Sequence, residues 1–388
     1  MISHRIISCL SRIAIITALL LSVFVGGKAH EVDGKVRIPV DSVGYALYPE
    51  QMTRLLAMTD SIESGRYGSN ASAFPKMRSG KMLGAVCPHD DYLYAAPAYV
   101  HVMREVRARI LILIGVSHAA RRRGIQGKLV FDTFDTWRGP YGDIAVSPMR
   151  GDVIDSLPEG LVLVSDELHA GEHSLEALIP FIQHYEIKGG AGHAPGKARH
   201  RPGIEILPIL VTRLGGGLFD EAVDALSSIL ASELEKRGLK LGDDALILIS
   251  ADCVHYGDEN WGGRDYAPFG TDANAYERGV EQDLDIIEET LAGPLSRERI
   301  ALFTERVARD DLEWPYKVTW CGVYSIPFGL GILDGICTRM DIYTPEGYLL
   351  RYATSRSPGR LPLDETGLGV TNISTLRHWV GYAAVGYW

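Results

Sequence analysis

The chain has 388 residues, 46% of them apolar and 23% charged, which is the balance of a globular protein able to bury a large core. That length suits one large α/β domain or two modest ones. A formal net charge of -10 excludes the basic footprint of a nucleic-acid or anionic-membrane binder.

The opening residues, "MISHRIISCLSRIAIITALLLSVFVGGKAH", carry Arg5 and Arg12 and then an apolar run from Ile13 to Val25. The run is shorter than the roughly 20 apolar residues of a membrane span. Gly27 and Ala29 occupy positions suited to a signal peptidase. Residues 1–29 therefore read as a secretory signal, and residues 30–388 as an exported chain, periplasmic or secreted, with no membrane span after cleavage. An uncleaved N-terminal anchor is the alternative. Cys87, Cys253, Cys321 and Cys337 are too sparse for a disulfide scaffold, and Cys321 and Cys337, flanking one apolar segment, read as buried thiols.

Beyond the leader, "YPEQMTRLLAMTDSI" spaces Met52, Leu55, Leu56 and Met58 along one helical face. "KMLGAV" is a short buried strand that empties into "CPHDDYLYA". "AAPAYVHVMREV" reads as helix, and "RILILIGVSH" is the clearest strand in the chain. This β–loop–α–β order begins an α/β sheet. "GKLVFDTFDTWRGPYGDIAVS" alternates and turns at Gly139-Pro140, as a hairpin does. "LVLVSDELHAGEHSLEALIPFIQHY" predicts a strand, a loop and a helix opening near Glu172, and "KGGAGHAPGKARHRPG" is a basic surface insertion. "IEILPILV" and "ALILIS" are strands separated by an amphipathic helix over Leu218–Arg237. Helices around Asn274–Leu291 and Ser296–Ala308 follow, and "GYLLRYATS" and "WVGYAAVGYW" close the chain as strands. No linker cuts the chain, so the expectation is a single-domain α/β sandwich with a mostly parallel or mixed central sheet.

Histidines fall at strand ends. His89 follows the strand ending at Val86, and His118 the strand ending at Ile114. His173 follows "LVLV", and Asp252 and His255 follow "ALILIS". In a parallel or mixed sheet such ends converge on one edge, and imidazole with carboxylate is a ligand set for iron, zinc or copper. Asp90 and Asp91 beside His89 read either as supports for its imidazole or as solvated turn acids; Tyr92 reads as pocket wall or core edge. His101, His184 and His378 lack acidic or histidine loop neighbours and read as structural. "HAGEH" (His169–His173) matches the zinc-peptidase pattern H-x-x-E-H, but Gly171 between the histidines places His169 in a loop before the helix, against that mechanism.

In this order, "PHDDYLYAAPAY", "ILIGVSH", "GPYGDIAVS", "EHSLEALIPFIQ", "ILPILV" and "LISADCVHYG" resemble the Memo family, also called AmmeMemoRadiSam system protein B. The resemblance runs from about Leu83 to Gly257, with weaker echoes in "TWCGVYSIPFGL" and "VGYAAVGYW". It implies a fold similar to class III extradiol ring-cleavage dioxygenases, which use non-haem ferrous iron. By that similarity His89 and His118 would be metal ligands, and His173, in the intact Glu172-His173-Ser174 motif, an acid/base or oxyanion partner beside substrate. Asp252 and His255 complete the expected metal set. The family's cysteine position falls on Val254, which leaves Cys253 one place early as a pocket residue. The expected activity is redox chemistry on a small, phenolic molecule with iron(II), or with copper or zinc. Glu172 is expected with His173 in the catalytic part of the site, and the alternatives are a zinc-dependent hydrolase on the same histidines, with an acidic residue as base, and a non-catalytic ligand- or peptide-binding module.

Overall fold

The computed structural model describes residues 34–74, 80–187, 203–259, 265–310 and 315–388. The expected leader and nearly all of the basic insertion lie outside the described residues. The chain from Lys35 to Trp388 forms one unit. It begins with β1 (Val36–Arg37) and α1 (Pro49–Ala73), then β2 (Gly84–Cys87), α2 (Tyr92–Met103), β3 (Ile110–Val116) and the short α3 (His118–Arg122). β4 (Leu129–Phe131) precedes the expected hairpin, whose arms are β5 (Thr136–Gly139) and β6 (Gly142–Val146). After α4 (Met149–Ser156), β7 (Val162–Val164), α5 (Asp166–Ala170) and α6 (Ile179–Ile187), the chain returns through β8 (Glu205–Val211), α7 (Gly217–Lys236) and β9 (Ala245–Ser250). The last elements are β10 (His255–Gly257), α8 (Ala273–Thr290), β11 (Gly293–Pro294), α9 (Arg297–Val307), α10 (Ser325–Arg339), β12 (Glu346–Thr354) and β13 (His378–Tyr387).

One mixed sheet collects these strands in the order β1-β5-β6-β8-β3-β9-β2-β13-β12-β11. From β6 through β8, β3 and β9 to β2 every neighbouring pair is parallel, and β13 closes antiparallel onto β2. The α/β sandwich expected from the sequence is therefore present. Helices cover both faces of the parallel centre, which is why β3 and β9 are buried at every position and read as unbroken aliphatic runs. Strand alternation divides their side chains between two cores. Ile110, Ile112 and Ile114 join Leu226 and Leu230 of α7 and Ile332 and Ile336 of α10. Leu111 and Leu113 join Leu55 of α1, Val100 of α2 and Phe181 of α6. Each such fully buried aliphatic contributes roughly 1.5–3 kcal/mol. The more exposed helices are started by side-chain caps, Asp272 accepting from the Ala275 amide and Ser296 from the Arg299 amide. Among the described residues no helix is long and apolar enough to cross a membrane.

Register brings the strand ends level. Ile249 of β9 lies opposite Val86 of β2 and also opposite Ile114 of β3, so the loops after these three strands leave the sheet at the same height. Beside them, Gly115 lets the segment after α5 pack directly on β3. A Cβ at Gly115 would lie 2.6 Å from Leu175 Cγ and 2.9 Å from Ser174 Oγ, and Ser174 Oγ donates to the Val116 carbonyl at 3.1 Å. Gly115→Ala should therefore cost about 1–3 kcal/mol through overpacking. Urea denaturation should show a lower midpoint at an unchanged slope, and an unmoved midpoint would contradict this close approach.

Candidate functional site

His89 leaves β2 through Pro88 and is buried. Its backbone amide donates to Asp252 Oδ1 at 2.9 Å, and Tyr45 Oη donates to its carbonyl. The ring Nδ1 stands 3.0 Å from Ser250 Oγ, whose own hydrogen goes to the Ser174 carbonyl at 2.6 Å. Ser250 can then only accept from His89, so Nδ1 carries a hydrogen and Nε2 is the ring nitrogen turned toward Asp252. That Nε2 lies 3.3 Å from Asp252 Oδ2.

A carboxylate performs the same task for His118. Glu172 Oε1 accepts from His118 Nδ1 at 2.8 Å and from the Ser174 amide at 2.9 Å, while Oε2 accepts from the His118 amide at 2.8 Å. Burial opposes charge on His118, but the Glu172 carboxylate outweighs it and raises the imidazole to about 10. Burial likewise pushes Glu172 up, and His118 more than reverses it, holding the acid far below its ordinary range. His173 stacks on His118 with ring centroids 4.8 Å apart and meets the His89 ring edge-on at 5.5 Å. Desolvation, then the neighbouring His118, lowers His173 to about 4, so it is neutral at physiological pH.

The third part of the site comes from the far side of β9. Asp252 is buried, with Oδ2 3.8 Å from His255 Nε2, and His255 Nε2 is 2.9 Å from Cys321 Sγ. Burial would raise the Cys321 thiol, but His255, His118 and His89 draw it well below its ordinary value and favour thiolate. Cys321 occupies the turn before α10, and Asp283 of α8 fixes that turn to the His255 segment. Asp283 Oδ1 accepts from Trp320 Nε1 at 2.7 Å, and Oδ2 accepts from Tyr352 Oη at 2.8 Å and the Val254 amide at 3.3 Å. The His255 amide also donates to the Thr319 carbonyl at 3.0 Å.

These side chains meet. Ligand atoms of His89, Asp252 and Cys321 lie within 4.8 Å of one another, as do those of His89, His118 and His173. They line a cavity of about 760 Å³ together with Asp90, Asp91, His255 and His378. Asp90 accepts from Tyr382 Oη at 2.6 Å, and Asp91 accepts from the Thr371 amide and hydroxyl at 2.6 and 3.0 Å. Burial raises them to about 6 and about 8. Neither supports the His89 imidazole; Ser250 does.

Several expectations change. Glu172 does not face the cavity, because its carboxylate is used in holding His118 and Ser174. Tyr92 is core, its hydroxyl donating to the Ala177 carbonyl at 2.6 Å. Cys253 packs against Gly381 with its thiol raised by burial, since the turn after β9 aims Asp252 inward and its neighbour away. The missed ligand-type residue is Cys321, carried by "TWCGVYSIPFGL", a segment noticed only as a weak family echo. His378, read as structural, lines the cavity. His169 sits in helix α5 rather than in a loop, with Nε2 2.9 Å from the Val130 carbonyl. Glu172 and His173 lie beyond the end of that helix, so the peptidase-like motif does not assemble. His101 is structural as expected, paired with Glu63 at 3.0 Å.

Fold and site together define a mixed α/β protein that gathers imidazoles, a carboxylate and a thiol at the carboxyl ends of parallel strands. The sequence model for the Memo-like protein matches residues 42–359, most of the chain, and the protein belongs to the Memo family. A MEMO1 family protein of Methanosarcina barkeri is 28% identical over 186 residues, 48% of this chain and 59% of the relative. One from Methanosarcina acetivorans is 30% identical over 183 residues, 47% of this chain and 57% of the relative. A Pyrococcus furiosus member is 26% identical over 282 residues, 71% and 81%. The match thus spans less than two thirds of the two Methanosarcina relatives and more of the third.

The Glu172–His118 pair carries a pH signature. Glu172 is held below its ordinary 4.5, so its stabilisation is present above about pH 4.5 and is lost as pH falls through its folded value. His118 is held above 6.5, at about 10, so its share is complete below pH 6.5 and is lost as pH rises toward 10. In metal-free protein Glu172→Gln should cost about 3 kcal/mol or more at about pH 5–6.5, because it leaves a buried imidazolium without its partner. That gap should narrow as pH approaches 10, and a pH-independent gap in denaturant titrations would refute the assignment.

Proposed function

We propose that this protein holds a redox-active metal, iron(II) or copper, and acts on a small phenolic molecule in the manner of extradiol-type enzymes. The observation that carries this reading is the convergence of His89 Nε2, Asp252 Oδ2 and Cys321 Sγ on one space, with His118 and His255 beside them. The donors fit such an ion. Two imidazoles are held in the ligand tautomer by Ser250 and Glu172, the carboxylate keeps one oxygen directed inward, and the thiolate is soft enough for copper or iron. A bound metal would supply Lewis acidity and electron transfer.

The remaining residues would handle the substrate. His173, neutral at physiological pH and partly exposed, can accept a hydrogen bond from a phenolic hydroxyl placed against it. His378 and Tyr94 line the same cavity and would flank a bound ring. A second reading, a zinc-dependent hydrolase, draws on the same Cys321 thiolate, since sulfur with imidazole also suits zinc. The leader at residues 1–29 would deliver either activity to an exported compartment.

Elemental analysis of anaerobically purified protein tests the reading. Stoichiometric iron or copper with oxygen uptake on a phenol supports it. Stoichiometric zinc with ester or amide cleavage selects the hydrolase, and a filled site without turnover leaves a binding module. Cys321→Ser and His89→Ala should each weaken metal affinity by about tenfold or more, whereas Cys253→Ser should leave it intact. Unchanged metal content in both of the first two variants would sink the proposal.

A further inference from the structure

Arg37 is a cation enclosed away from solvent, 1% exposed. Burying a guanidinium is costly unless a counter-charge and hydrogen bonds satisfy it. Strand β1 pairs with β5 so that Arg37 lies opposite Trp137, and the guanidinium sits 4.4 Å from the centroid of that indole ring. The family match begins at residue 42, so Arg37 stands ahead of it.

Its nitrogens reach one short stretch of chain. Nε donates to the His169 carbonyl at 3.0 Å and Nη2 to the Glu172 carbonyl at 2.6 Å, while Nη1 pairs with Glu176 Oε2 at 2.6 Å. Glu176, itself buried, turns back to the N-terminal segment and accepts from the Val40 amide at 2.9 Å and the Asp41 amide at 2.7 Å. That segment is a wall of the large cavity, lined there by Val40, Asp41, Ser42, Val43 and Tyr45. Tyr45 donates onward to the His89 carbonyl, and a Cβ at Gly44 would meet Asp91 Oδ1 at 2.0 Å, so the segment lies directly against Asp91. The stretch on the other side of Arg37 supplies Gly171 and His173 to the same cavity and carries the Glu172 carboxylate that holds His118. One guanidinium therefore fastens together two walls of one cavity.

We propose that Arg37 is a positioning residue of the site, acting on His118 through Glu172 and, through Glu176, holding residues 40–45 in place as a wall of the cavity. A carboxylate orients an imidazole only as well as its own backbone is held, and Arg37 holds the carbonyls of both His169 and Glu172. Lysine at this position could neutralise Glu176, but one ammonium group cannot reproduce a planar fork directed at three acceptors. The role shares the site of the redox reading but neither its metal nor its substrate, because every bond it invokes lies within the chain.

The test uses the full chain, with zinc added as a diamagnetic metal and again without it. Arg37→Lys leaves Glu176 neutralised. Arg37→Met combined with Glu176→Leu removes both charges and leaves no buried charge unpaired, which keeps the test decisive should the lysine variant fold poorly. In Arg37→Lys, hydrogen exchange should speed up by about tenfold or more at residues 169–177, while residues 40–45 keep their protection. In the double variant both segments should exchange faster by that factor. Nuclear magnetic resonance of histidine-labelled protein supplies a signature that a general loss of stability does not give. The His118 Nδ1 proton, assigned by its absence from His118→Gln, should shift in both variants, whereas the His89 Nδ1 proton, held by Ser250, should stay. An unmoved His118 proton in both variants, or unchanged protection of residues 40–45 in the double variant, overturns the assignment. A uniform rise in exchange along the chain with both ring protons unmoved does so too. The redox reading fails separately: a chain that takes up no metal loses that centre, while the exchange and ring-proton results still decide the role of Arg37.

Discussion

The shared register of β2, β9 and β3 is the constraint on which the site depends. Ile249 faces Val86 on one side and Ile114 on the other, and that pairing sets the height at which three loops leave the sheet. A slip by one residue would move every aliphatic of the slipped strand into the opposite core. It would also carry its loop along the strand by roughly 3.3 Å, more than the tolerance of a hydrogen bond. Because β3 and β9 are buried on both faces, both cores resist that slip. The packing of ordinary aliphatics thus fixes the placement of His89, His118 and Asp252.

Gathering charge in such a place is costly unless each group is satisfied. Glu172 accepts two backbone amides and one imidazole N–H, and Asp252 accepts the His89 amide before it meets any ring. These bonds offset desolvation and also orient the rings, since a histidine whose Nδ1–H is committed to Ser250 or Glu172 can present only Nε2 to the cavity. Stability and function use the same contacts here. Glu172 is therefore a positioning residue although it never touches the cavity, and the raised His118 and lowered Glu172 are two views of one hydrogen-bonded pair.

Asp283 makes a comparable connection on the other side of the sheet. By accepting from Trp320, Tyr352 and the Val254 amide, it ties α8, β12, the turn after β9 and the turn before α10 around one carboxyl group. Burial raises that group to about 7. Gly381 of β13 has no room for a Cβ beside Asp283 Oδ2 and Cys253, so Cys253 is enclosed by β13, whereas Cys321 lines the cavity.

Much of the fold was legible in local pattern. Aliphatic runs marked β3, β8 and β9, alternation with Gly139-Pro140 marked the β5–β6 hairpin, and helical spacing marked α7, α8 and α9 to within a residue or two at each end. Histidines placed directly after β2 and β3 pointed to His89 and His118, because a strand end and a following polar residue are neighbours in sequence as well as in space, whereas His173 lies beyond helix α5 rather than at a strand end. Local pattern did not reveal that His169 completes a short helix, since a five-residue helix is too short to show a period. Nor did it reveal Cys321. That thiol is 66 residues from the imidazole it meets, and only the Asp283 connection and the bridge between Val254 and Trp320 bring them together. The sequence by itself determined the elements and the strand-end histidines, through interactions that act over a few residues. Which thiol faces the cavity, and which carboxylate orients a ring rather than lining the pocket, was decided by tertiary structure, because those roles depend on the direction in which packed turns aim their side chains.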